Sequence, residues 1–155
     1  MELREELRPQ LVAEERLEFL ARWIEAIADL LDRGSELEIE SEIQRFNEDV
    51  GHSYEADDFR FYAAGRSSRD FALEAARPKP RRIPDITREE LVEIVARIQS
   101  SGPEAEYYVK LFEVNVPHPR ASGLIYWPPK ELEGATPEEI VDAALSYRPI
   151  ELWGP

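Results

Sequence analysis

The chain has 155 residues and 43% hydrophobic content, room for one ordinary domain or two small ones with a buried core. Its 33 acidic residues against 19 basic ones give a formal net charge of −14, a field that repels nucleic acid and anionic membrane and favours a basic partner. With no cysteine there is no disulfide, thiolate nucleophile or cysteine-ligated zinc. The opening MELREELRPQ is charged where a secretory signal is apolar, and no apolar run approaches membrane-spanning length. The expectation is an acidic, globular, cytoplasmic protein.

In chain order, the spacing predicts a helix from Glu2 to about Arg33, with Leu17, Leu20, Ala21, Ile24, Ile27, Ala28 and Leu31 along its apolar stripe. Pro9 is either a kink or its first turn, and Gly34 is a natural stop. Ser35 can cap a second helix to about Asp49, with Leu37, Ile39, Ile43 and Phe46 inward. Gly51 breaks it. Tyr54 to Ala64 and Ser67 to Ala76 read as two further short helices, the second capped by Ser67 or Ser68.

The stretch RPKPRRIP, Arg77 to Pro84, cannot continue a helix, because proline supplies no N–H and favours an extended connector. It divides the chain into a helical domain over 1–76, a linker over 77–83 and a second helical domain over 84–155. Each side of Ile83/Pro84 carries a net charge of −7, so the acidity is not confined to one tail.

Beyond the linker, Thr87 and Glu90 form a capping box ahead of Leu91, Ile94, Val95 and Ile98. Pro103 suits the first turn of the next helix, which buries Tyr108, Leu111 and Phe112 and ends before Pro117 and Pro119. Its exposed side would carry Glu104, Glu106, Tyr107, Lys110 and Glu113. A last helix starts at the capping box of Thr136 and Glu139 and buries Ile140, Val141, Ala144 and Leu145. Ile150, Leu152 and Trp153 of the tail can fold back on the bundle. Between these helices lies HPRASGLIYWPP, His118 to Pro129. A strand would have no second strand to pair with. A short helix capped by Ser122 and running to Trp127 is the better reading, with Leu124 and Ile125 inward and Tyr126 and Trp127 partly covered. The fold class is therefore all-α: a distorted four-helix bundle with a short third helix in the C-terminal half, preceded by a second helical domain.

This order, together with His118-Pro119, Ser122, Leu124-Ile125, Tyr126-Trp127 and Pro128 at their spacing, resembles the immunity proteins of colicin- and pyocin-type nuclease bacteriocins. ITREELVEIVARI looks like the first helix of that family, AEYYVKLFE its second and TPEEIVDAAL its fourth. The likeness covers about Pro84 to Arg148. It implies an inhibitor that binds a cognate basic nuclease toxin, most simply a DNase, beside its active site. By the same resemblance Ser122, Tyr126, Trp127 and Pro128 are the toxin-binding anchor, and Glu104, Glu106, Tyr107, Lys110 and Glu113 set toxin specificity. Two positions depart from the pattern. Gly123 stands where the family has an acid that contacts the toxin, and Trp127 replaces a tyrosine while keeping the large aromatic typical of interface hot spots. Taken from the residues alone, the preferred reading is the bland one: Tyr126 or Trp127 caps the core, and the second-helix acids are an ordinary solvated face.

The first half can be laid on the second with small gaps, so that Phe46 meets Phe112, His52 meets His118 and Phe71 meets Ile140. A degenerate tandem copy and an unrelated helical domain both fit. Catalysis has little support. His52 with Asp57 and Asp58 offers one imidazole and two surface acids, better read as capping or solvent groups than as a metal site. His118, before a proline, suits a local hydrogen bond. The glycines form no phosphate-binding loop. No enzyme activity, cofactor, metal, nucleic-acid partner or membrane partner is expected. Two other functions stay open: a helical scaffold unrelated to toxins, and an acidic DNA mimic whose binding would survive loss of the aromatics but fall steeply with salt.

Overall fold

The computed structural model describes residues 1–148, and its regular elements are all helical. They divide into two compact units, one formed by Gln10–Lys79 and the other by Met1–Pro9 together with the chain from Pro80 onward.

The Gln10–Lys79 unit contains α1 (Glu14–Arg33), α2 (Glu36–Val50), α3 (Ala56–Phe61) and α4 (Ser68–Ala76). Leu17, Leu20, Ile24 and Ile27 of α1 meet Ile43 and Phe46 of α2, Phe59 of α3, and Phe71, Ala72 and Ala75 of α4. Phe46 is fully buried, and its ring centroid lies 5.2 Å from that of Trp23, 5.3 Å from Phe59 and 6.3 Å from Phe71, all edge-on. Such pairs add about 0.5–1.5 kcal/mol each beyond the area they bury.

The Ser35 hydroxyl accepts the Glu38 N–H at 3.2 Å to start α2. Gly51 ends that helix at φ 74°, a conformation only glycine adopts without strain. Four details depart from the sequence reading. The helix expected over Tyr54–Ala64 is only six residues long, capped by Glu55 and Asp58, and continues as a 3-10 turn over Tyr62–Ala64. Leu37 is exposed, because it sits in the first turn of α2, outside the stripe led by Ile43 and Phe46. His52 is buried; its Nε2 lies 2.7 Å from the Arg77 carbonyl, and its ring stacks on Tyr54. The fourth departure is at the start of α1.

The helix expected from Glu2 does not form as one piece. Pro9 cannot donate an N–H and pushes the residue before it out of the helical region. Arg8 is accordingly extended, a 3-10 turn covers Glu5–Leu7, and α1 begins only at Glu14. Leu3 and Leu7 are buried among Ile83, Leu91, Ile94 and their neighbours, not among the α1 side chains.

That second unit holds α5 (Arg88–Gln99), α6 (Ala105–Asn115), α7 (Gly123–Tyr126) and α8 (Pro137–Leu145). The capping boxes of Thr87 with Glu90 and Thr136 with Glu139 both form. Helix α6 begins at Ala105, two residues after Pro103, whose neighbours make a turn closed by the Ala105 N–H on the Gly102 carbonyl. Arg88 donates from Nε and Nη2 to Asp142 at 2.8 and 2.9 Å, tying the start of α5 to α8. Arg4 grips Glu90 through Nε and Nη2 at 2.9 and 3.0 Å and reaches Asp85 at 3.0 Å, which gives the buried Glu90 carboxylate its counter-charge. Asn115, at the end of α6, accepts the Ile83 N–H at 2.7 Å and donates to the Arg81 carbonyl at 3.2 Å. The expected fold-back of Ile150, Leu152 and Trp153 lies outside the described residues.

Candidate functional site

Helix α7 is a single turn, too short to bury both of its sides. It starts where Pro117 and Pro119 prevent α6 from continuing. His118 Nδ1 accepts the Arg120 N–H at 3.0 Å, the local bond its position suggested, and its ring leans on Tyr147 with centroids 4.9 Å apart. The chain then turns tightly: the Gly123 N–H bonds the Arg120 carbonyl at 2.9 Å and the Leu124 N–H bonds that of Ala121 at 3.1 Å. Ala121 and Leu124 are buried with Tyr108, Leu111 and Phe112, and Ile125 packs against the same core. Two inward residues in a one-turn helix leave the next two facing out.

Those two are Tyr126, 50% exposed, and Trp127, 82% exposed, with ring centroids 6.1 Å apart and edge to face. Trp127 follows the last helical residue and precedes Pro128, which disfavours a helical backbone there; φ is −135° and ψ 64°. The Trp127 N–H still closes the turn on the Gly123 carbonyl at 2.9 Å. Ser122 and Pro128 flank the pair and are half-buried.

The expected side-chain cap from Ser122 is absent. Ser122 itself has helical angles, φ −61° and ψ −29°, and its carbonyl takes the Ile125 and Tyr126 N–H groups, so its hydroxyl is not placed to accept one. Gly123 has open space where a Cβ would stand, the nearest atom being the Arg120 Cβ at 4.0 Å.

The residues expected on the outer side of α6 divide into two groups. Glu106, Lys110 and Glu113 are exposed. Glu104 is half-buried at the helix start, and Tyr107 is half-buried against the core with its ring 5.9 Å from that of Tyr108. Val114, exposed next to Glu113, escaped the sequence reading. An apolar residue on a polar face was the available signal, but in a helix with apolar residues on several sides it did not stand out.

Among the described residues no group of three or more His, Asp or Glu side chains is placed to hold a metal ion, and no helix is long and apolar enough to cross a membrane. The α7 region presents two adjoining aromatic rings on a unit of net negative charge.

The comparisons with known proteins fall on this same unit. The family described as colicin immunity protein / pyocin immunity protein matches residues 83–149. The uncharacterized protein YezA of Bacillus subtilis (strain 168) is 36% identical over 66 residues, a stretch that spans 41% of this chain and 93% of YezA. No solved structure matches the chain. The chain belongs, through its residues 83–149, to the colicin and pyocin immunity protein family.

Proposed function

We propose that this chain protects its host by binding the nuclease domain of a bacteriocin, a DNase, through the Tyr126–Trp127 face of α7, and that it inhibits without catalysis. The family carries the bacteriocin immunity role. The observation that supports this way of exercising it is Trp127. A tryptophan 82% exposed beside a half-exposed tyrosine, just past a helix whose inward residues pack in the core, contributes little packing among the described residues. Such rings become binding anchors when a partner desolvates them.

The rest of the surface fits the same task. A net charge of −14 speeds encounter with a basic nuclease and repels the phosphates of its substrate. Ser122 and Pro128 frame the anchor, and Glu106, Lys110 and Glu113, with the half-buried Glu104 and Tyr107, give α6 the varied charge and shape that separates one toxin from another. The reaction blocked lies in the cytoplasm, and the inhibitor needs no cofactor.

The test is a titration of DNA cleavage by the cognate toxin domain with the purified chain, and with the Tyr126→Ala/Trp127→Ala variant confirmed as folded by circular dichroism. Stoichiometric inhibition by wild type that is lost in the folded variant supports the proposal. Inhibition equal in both forms, but abolished by moderate salt, favours a charge-based DNA mimic instead. A wild-type chain that fails to protect against DNase but stops RNA cleavage corrects the target and leaves the anchor standing.

A further inference from the structure

The family match stops at the C-terminal unit, yet the Gln10–Lys79 unit repeats its plan. In each, a long first helix (α1, α5) leads to a second (α2, α6), a very short third (α3, α7) and a nine-residue fourth (α4, α8). Leu20, Ile24 and Ile27 are buried at the spacing of Leu91, Val95 and Ile98. Phe46 and Phe112 are both fully buried, and each is followed six residues later by a histidine, His52 or His118, in the loop that leads to the short helix. The fourth helices open with equivalent capping boxes, Ser67 with Asp70 and Thr136 with Glu139. They then bury the same three positions, Phe71, Ala72 and Ala75 against Ile140, Val141 and Ala144. Amphipathic periodicity alone gives the first of these agreements. It does not place a histidine at a fixed distance from a buried phenylalanine, nor a one- or two-turn helix between two longer ones.

The outer side of the short helix agrees as well. On α7, Leu124 points inward and Tyr126, two residues on, is half exposed; on α3, Phe59 is fully buried and Phe61, two residues on, is 62% exposed. The Arg60 guanidinium lies 6.0 Å from the Phe61 ring centroid and is paired with Asp57 at 2.8 Å. Tyr62 follows, half-buried, its phenol pushed up by desolvation and by Glu25 and Asp29 of α1. Exposed Glu40 stands six residues before Phe46 as exposed Glu106 stands before Phe112. The unit holds 17 acids against 9 bases, so a basic protein is the partner its charge complements.

We propose that the Gln10–Lys79 unit is a second, diverged immunity bundle, and that Phe61, carried on a unit of net negative charge, anchors a second copy of the toxin domain bound at α7. This rests on the function proposed above. It makes the chain a bivalent inhibitor.

The test is calorimetric titration of the full chain with the cognate toxin domain. The expected result is two domains bound per wild-type chain, one per Tyr126→Ala/Trp127→Ala chain, and none when Phe61→Ser is added. Phe61→Tyr, which keeps the ring, retains the second site and guards against a folding artefact. One domain per wild-type chain, with binding unchanged by Phe61→Ser, overturns the second site while the α7 anchor stands. No binding by wild type overturns both readings.

Discussion

Replacing Trp127 and Tyr126 one at a time separates affinity from stability, because the two rings are covered to different degrees. A tryptophan buries roughly 200 Å² when a partner encloses it. With 82% of Trp127 still open, nearly all of that area is available to the toxin. At about 25 cal/mol per Å² this is about 4 kcal/mol, roughly a thousandfold in Kd. Tyr126 has half its surface left to offer, which corresponds to about 2 kcal/mol or roughly thirtyfold. The fold answers in the reverse order. Trp127→Ala removes little packing and changes stability by about 0.5 kcal/mol or less, whereas Tyr126→Ala removes a half-covered ring and costs about 1 kcal/mol. Calorimetry against the toxin domain gives the affinities, thermal unfolding gives the stabilities, and most of the lost affinity should appear as faster dissociation. A Trp127→Ala chain that binds within threefold of wild type would refute the assignment of the anchor.

Three further outcomes follow from the structure. Phe46→Ala should destabilise the protein by about 3–5 kcal/mol in urea unfolding, since it empties the centre of an aromatic cluster; a loss below about 1 kcal/mol would mean the cluster collapses into the gap. Gly123→Asp meets no obstacle and places an acid at the start of α7, so it should raise stability by about 1 kcal/mol and tighten toxin binding; weaker binding would count against the face assigned to the toxin. Arg88 holds the Asp142 carboxyl below the usual aspartate range through two hydrogen bonds. A lowered folded-state value means this stabilisation is present above the unfolded value of about 3.9 and is lost as pH falls through the folded one. In an NMR titration Asp142 should move back to the ordinary range in Arg88→Gln, and an unchanged titration would contradict that cause.

Much of this was legible because it is local. The caps of Ser35, Ser67, Thr87 and Thr136 are decided by residues three positions apart, and all four form. The one-turn α7 was readable because prolines bound it on both sides. What failed depended on distant partners or on backbone angles. Ser122 has the right chemistry for a cap, but it lies inside the turn and not ahead of it. His52 reads as a surface group until Arg77, 25 residues away, supplies the carbonyl that permits its burial. No periodicity tells which core Leu3 and Leu7 will enter, since the segment is too short to show one. The proposed anchor residues came from the family resemblance; the degree of their exposure needed coordinates.

Leu3 and Leu7 also set the order in which the chain can be completed on the ribosome. They are made before the side chains that share their core, which run from Ile83 to Ala144. At about 5–20 residues per second, roughly 4–15 s separate Leu7 from Ile83. During that interval every residue of the Gln10–Lys79 unit is synthesised, while two leucines wait in water. The family-matched unit is therefore discontinuous, and closing it spans a loop of more than seventy residues, a slow, non-local step. A fragment cut at Pro84 to isolate that unit would leave behind Leu3, Leu7 and the Arg4 counter-charge of Glu90, and would have to fold around the vacancy.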